Sequence, residues 1–177
     1  MVRRVVTAVE AGKSIFRSDG SVPTEHVYKA LPGFMTSICW STSAQPSNTS
    51  VIEAAPLGTR AIPGPGETRL MIVRFPPDSV MVGPGFDPKA AGAEQTIHMP
   101  GLAELFEIDN PGMHRTNSID YDIVLSGEIW LELDNGAEKH LRAGDIVIQQ
   151  ATRHAWRNRG QTDANMAFIL IGTATTS

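Results

Sequence analysis

The stretch from Gly112 to Asn158, GMHRTNSIDYDIVLSGEIWLELDNGAEKHLRAGDIVIQQATRHAWRN, decides how this chain is read. Between His114 and His154 lie four segments of strand length, IDYDIVLSG, EIWLELDNG, EKHLRAGD and IVIQQ, broken by Gly or Asn-Gly. Val, Ile, Leu and aromatic residues mixed with charge between turn signals predict antiparallel strands. Asn135-Gly136 is the clearest hairpin signal, because both central residues of a type I′ turn need positive φ. The expectation is a compact β-barrel with polar, metal-capable side chains converging from distant strands.

Toward the N-terminus, residues 2–9 and 13–17 read as two strands around Glu10-Ala11-Gly12. Such an apolar extension must pair, either within its own sheet or across to a partner subunit. FMTSICWST (34–42) and RLMIVRF (69–75) read as further strands, the second ended by Pro76-Pro77, which cannot donate to a ladder. Residues 44–67 thin into AQPSNTS and AIPGPGE and predict a long loop. From 78 to 112 the β pattern breaks. MPGLAELFEIDN is expected to make one or two helical turns, with Leu102, Leu105 and Phe106 at i, i+3 and i+4. That face could lie across a barrel mouth as a lid, or be a packed turn in a surface loop. MAFILIG (166–172) is the last strand, and no internal repeat suggests a second barrel. The expected division is 1–68 for the N-terminal strands and Pro/Gly-rich extension and 69–177 for the barrel, within one compact domain.

Composition bounds the function classes. Of 177 residues, 41% are hydrophobic, enough to fill a core. Fifteen basic against 19 acidic residues give a net charge of −4, which argues against a nucleic-acid surface. No apolar run approaches the ~20 residues of a membrane span, and no signal peptide is visible. The single cysteine, Cys39, cannot form an internal disulfide and fits a reducing compartment, so a soluble cytoplasmic protein is expected.

His114 and His154 each open a strand after a turn. Asp120 and Asp122, two apart, share one face of an extended segment. If that face is interior, a carboxylate needs a cation, a proton or several donors. Two imidazoles and a carboxylate around open positions would suit iron, zinc, manganese or nickel. On spacing alone, hydrogen-bonded or surface residues are the commoner reading of such a pattern.

GMHRTNSIDYDIVLSG (112–127) resembles the first cupin motif, with His114 at its first histidine and Asp120 at its glutamate. GDIVIQQATRHAWRN (144–158) resembles the second, with His154 and Asn158 in place. Thr116 stands where the second histidine is expected, Gln150 replaces the proline and Thr152 the glycine. The HRT-x-S-x-DY phrase is similar to that of a subgroup of small bacterial and fungal cupins. The resemblance implies an all-β cupin barrel (double-stranded β-helix, or jelly roll) with an N-terminal strand extension and a short helical lid segment. It implies a divalent metal on His114, Asp120 and His154, with Asp122 as the alternative carboxylate, or else a metal-free His–Asp pair. It also implies a homodimer.

The function expected is a metal-dependent enzyme acting on a small oxygen-rich organic substrate, of lyase, decarboxylase or isomerase type. A non-haem iron dioxygenase with the same ligands and a non-catalytic ligand-binding cupin are the alternatives. Further catalytic candidates are Thr116, whose hydroxyl could orient a water, Tyr121, and His98 acting with Glu104 and Glu107 from the lid. Trp156, Phe106 and Trp130 are candidate substrate contacts. Core packing is the competing role for Tyr121 and Trp156. Arg115 and Arg157 are expected to point away into salt bridges, and His140 to lie on the surface.

Overall fold

The computed structural model describes residues 1–48, 55 and 58–174. In chain order the elements are β1 (Arg3–Glu10), β2 (Lys13–Ser21), β3 (His26–Val27), β4 (Met35–Thr42), β5 (Thr68–Phe75) and α1 (Pro88–His98). They continue with β6 (Ser118–Ser126), β7 (Glu128–Glu132), β8 (Glu138–Arg142), β9 (Ile146–Gln150), β10 (Ala155–Arg157) and β11 (Ala164–Gly172). One six-stranded sheet runs β3-β4-β5-β11-β6-β9, a three-stranded sheet runs β10-β7-β8, and β1 pairs with β2 alone. All the pairings are antiparallel. The two larger sheets close on each other through Val124, Ile129 and Met166, with Leu141, Trp156 and Phe168 packed around them. This is the expected all-β cupin barrel. Its two sheets hold nine strands, of which β3 and β10 are only two and three residues long.

The hairpin signal at Asn135-Gly136 is realised. Asn135 has φ 58 and Gly136 φ 71, and the turn sets the register Glu132↔Glu138 between β7 and β8. Strands β3 and β4, from the first 68 residues, hydrogen-bond into the same sheet as β5. The long loop expected over 44–67 lies partly outside the described residues.

The helical segment differs from expectation. The α-helix is α1, which ends at His98 directly before the predicted turns, in a stretch whose Gly and Pro content hides its start signal. Asp87 caps it, accepting from the backbone N–H groups of Lys89 at 2.9 Å and Ala90 at 3.1 Å, and Pro88 occupies the first turn. On the other side, the Glu94 carboxylate accepts from the backbone of Ala30 at 2.8 Å and meets His26 Nε2 at 2.7 Å, pinning the helix to the 26–30 segment. The expected turns shrink to one 3₁₀ turn, Ala103–Leu105. Their predicted apolar face does not form: Leu102 joins the core with Met99, whereas Leu105 is half-exposed and Ile108 exposed.

Strand β6 is inside-out. Ser118, Asp120 and Asp122 are buried on the face that also carries Val124, while Tyr121 and Leu125 on the other face are exposed. Among the described residues, no helix is long and apolar enough to cross a membrane.

Candidate active site at the paired histidines

The two motif histidines are brought together by a backbone bridge outside the named strands. His114 N donates to His154 O at 3.0 Å and His154 N to His114 O at 2.9 Å. Both rings are buried, with centroids 4.3 Å apart and planes inclined by 54°. Gly112 makes the entry possible. Its φ is 85, and a Cβ there would sit 3.0 Å from the Arg157 guanidinium.

Each ring is oriented by its own chain. His114 Nδ1 lies 3.1 Å from Gly112 O and His154 Nδ1 lies 3.0 Å from Thr152 O. A carbonyl only accepts, so each Nδ1 carries the proton and each Nε2 keeps a free lone pair. Among the described residues no hydrogen bond reaches either Nε2. Burial pushes both imidazoles below their ordinary pKa, His154 to about 4 with the neighbouring His114 adding to the effect. Both are neutral at physiological pH.

The carboxylates of β6 are driven the other way. Burial raises Asp120, against the opposing hydroxyls of Ser118 and Thr116. Burial and then the charge of Asp120 push Asp122 up to about 8. Gln149 opposes this from beyond hydrogen-bonding reach, since its Nε2 and both Asp122 oxygens lack any partner. Asp120 Oδ1 is likewise unpartnered, while its Oδ2 accepts weakly from Thr116 Oγ1 at 3.5 Å. Buried acceptors left in this state are costly unless a proton, donor or cation serves them.

The remaining candidates divide. Phe106 packs edge-on to His114, with centroids 4.9 Å apart, and Trp156 lies 6.1 Å from His154, between it and Phe168. Thr116 joins Ser118 and Asp120 in one hydroxyl–carboxylate chain. Three candidates lie elsewhere. Tyr121 is exposed on the outer face of β6, as alternation from Asp120 requires, so it does not pack in the core and lies on the opposite face from the buried carboxylates. His98 ends α1 and stacks on His26. Trp130 stacks on His140, with centroids 4.1 Å apart, on the opposite face of β7 from the buried Ile129 and Leu131. His140 is in turn paired with Glu128.

Two contributors were missed in the sequence. Gln149 is buried in register with Asp120, a placement its alternation with Ile148 could have signalled. Arg153 grips Glu107 with two bonds, of 2.6 and 2.7 Å, and Asp134 with a third, tying the 103–110 segment beside His154. Glu104 accepts from Gly101 N at 2.7 Å. Arg157 pairs with Glu132 as expected. Asn158 is structural: its amide bridges Phe75 O and Thr162 O, both at 2.8 Å.

The donor chemistry fits a divalent ion: neutral imidazoles anchored through Nδ1 with Nε2 free, and orphaned carboxylate oxygens nearby in sequence. The placement is incomplete. Among the described residues no three His, Cys, Asp or Glu side chains are grouped to hold one ion. The two histidines are joined, and the shorter aspartate, where the motif has glutamate, is engaged with Thr116 instead.

No family model matches the chain. It is similar to phomopsin biosynthesis cluster protein C′ of Diaporthe leptostromiformis, 46% identical over 81 residues, which are 42% of this chain and 43% of that one. Cupin-domain-containing oxidoreductases of Neurospora crassa and Hypocrea virens are 41% and 40% identical over 91 and 62 residues, covering 46% and 32% of their lengths. The chain thus matches less than half the length of these relatives. Among solved structures, a putative ethanolamine utilization protein Q of Salmonella typhimurium covers 98% of each chain at 8% identity and TM-score 0.42. The barrel, the paired motif histidines and the cupin-domain relatives together support a small protein of the cupin superfamily.

Proposed function

We propose that the chain is a cupin enzyme of small-molecule biosynthesis, acting on a small oxygen-rich substrate by proton-transfer chemistry of the lyase, decarboxylase or isomerase type. One observation carries this: two buried, neutral imidazoles lie with ring centroids 4.3 Å apart, each engaged through Nδ1 and with no hydrogen bond on Nε2 among the described residues, while burial raises the carboxyl of Asp122 to about 8. Groups whose environments push their pKa values apart in this way supply an acceptor and a donor at the same pH. Phe106 and Trp156 wall the imidazoles and keep water from them. Arg153, through Glu107, holds Phe106 against His114. As an alternative to that acceptor role, the Nε2 atoms of His114 and His154 with an ionised Asp120 or Asp122 would hold a divalent ion, which would supply Lewis acidity toward substrate oxygens. The biosynthesis-cluster relatives support a role in biosynthesis.

The test is solvent exchange. Enolisable hydroxy- and keto-acids are incubated anaerobically with the protein in deuterated water and followed by NMR. Deuterium incorporation or carbon dioxide release that His154→Ala abolishes is expected. Turnover that requires oxygen overturns the non-redox class and favours an iron-dependent oxygenase, the alternative that the oxidoreductase names of several relatives support.

A further inference from the structure

Leu102 packs against the core and Met113 is buried, but the chain between them is held chiefly by polar contacts. Phe106 meets His114 edge-on, whereas Leu105 is half-exposed and residues 108–111 are exposed. The loop closes on itself first. Glu107 N donates to Met113 O at 2.8 Å, Met113 N to Asn110 O at 2.9 Å and Asn110 Nδ2 to Glu107 Oε2 at 3.0 Å. A loop whose ends are joined in this way is a compact unit that can shift without unravelling. Segments with few buried apolar contacts are also the ones that open most easily.

Two arginines of the barrel reach this loop, and they flank His154 in the chain as RHAWR (153–157). Arg157 donates to Pro111 O at 2.7 Å and pairs with Glu132. Arg153 forks onto both Glu107 oxygens and reaches Asp134 with its remaining nitrogen. Beside these bridges the loop stands clear of the β7–β8 hairpin. A cleft of about 330 Å³ separates Asn110 and Met113 from Leu133 and Asn135, with both arginines in its wall.

The two arginines hold different ends. Arg157 takes a backbone carbonyl two residues from buried Met113, at the fixed end of the loop. Arg153 takes the side chain next to Phe106, and its second acid lies on the hairpin rather than on the loop. When Glu107 lets go, Arg153 keeps Asp134 and Glu107 passes into water, so neither charge is left bare. Arg153 and Glu107 are 31% and 34% exposed, which keeps that exchange inexpensive. The two-bond fork supplies the geometry that a partly solvated ion pair needs in order to hold at all. Glu107 is also near enough for its charge to act on the His114 ring, so the fork closes beside the imidazole.

We propose that Arg153 is a positioning residue whose fork on Glu107 latches Phe106 over His114, and that ligands reach the imidazole pair when this latch opens. The inference rests on the reading of the His114–His154 pair as the site. It adds to that reading a gating step set by one ion pair.

The test is modification of the folded chain by diethyl pyrocarbonate, which acylates uncharged imidazole nitrogens, with His114 and His140 followed separately by peptide mass spectrometry. His114 should react slowly in the wild type. It should react at least about tenfold faster in Arg153→Gln and in Glu107→Gln, since two charge-assisted bonds are lost, with His140 and the circular dichroism spectrum unchanged. Sodium chloride at about 1 M should speed His114 severalfold in the wild type and not in Arg153→Gln, because screening weakens the ion pair and not the packing of Phe106. A wild-type His114 as reactive as His140 overturns the proposal. So does a His114 rate indifferent to both substitutions, or to salt in the wild type, a measurement that stands even if a variant fails to fold. Access is read without turnover: gating in a protein that transforms no substrate supports the latch and overturns only the catalytic reading.

Discussion

The two faces of β6 contrast with what water would choose. Its inner face carries Ser118, Asp120 and Asp122, all buried, and its outer face Ile119, Tyr121 and Ile123, with Tyr121 exposed. An ordinary half-buried strand is the reverse, apolar in and polar out. The inner face of neighbouring β11 is ordinary, with Met166 and Leu170 buried. Stability alone therefore accounts for β11, whereas β6 spends folding energy on both faces. Inside, that cost buries carboxylate oxygens that no donor serves; outside, it leaves apolar side chains in water.

The largest effects should fall on the inner side. Replacing His154 by Ala should lower turnover by about two to four orders of magnitude with the fold intact, as expected when a positioned proton-transfer group is lost; steady-state rates and near-ultraviolet circular dichroism check both halves. Next, Ile129→Ala should destabilise by about 2–5 kcal/mol in urea melts, because Ile129 is fully buried where the two sheets meet. Asn158→Ala should cost about 1–3 kcal/mol, since the buried amide that bridges Phe75 O and Thr162 O is lost. If the histidine variant unfolds as readily as the Ile129 variant, the functional and structural halves of the interior are not separable.

The acid–base character sharpens the contrast. Asp122 has a folded pKa raised to about 8 from an ordinary carboxylate value, so between about 4 and 8 the folded state binds the extra proton. Its contribution to stability is present at low pH and is lost as pH rises through about 8. His154, held near 4, acts oppositely: the unfolded chain binds the proton between about 4 and 6.5, so stability from this group rises with pH there. The two trends oppose each other at acid pH, and above about 6.5 only Asp122 remains. The melting temperature should therefore fall from pH 6.5 to 8.5, and Asp122→Asn should flatten that fall. The smallest effect is on the outer face: Tyr121→Thr should change chain stability by no more than about 0.5 kcal/mol under conditions where the protein is monomeric, because the ring is already solvated.

Much of this was legible in the sequence. Local signals such as Asn135-Gly136, the alternation of IDYDIVLS and the glycines bounding each motif depend only on neighbours in the chain, and the elements they predicted are present. Alternation also assigned Tyr121 to the face opposite Asp120. Helix α1 was hidden because Gly and Pro dominate the stretch from Gly83 to Gly92, although Asp87-Pro88 is a good start signal. The remaining differences are long-range. Trp130 and His98 end up stacked on His140 and His26, and Arg153 finds Glu107 from 46 residues away. No local pattern encodes such pairings. Nor could spacing foretell that Asp120 would turn to Thr116 rather than group with the histidines.

The most direct test of the centre is elemental analysis of protein purified without added metal, alongside His114→Ala and His154→Ala variants with native circular dichroism. One divalent ion per chain in the wild type and none in either variant is the predicted result. An ion-free wild type after exposure to zinc, manganese, nickel and ferrous iron, or equal metal in all three proteins, would contradict it.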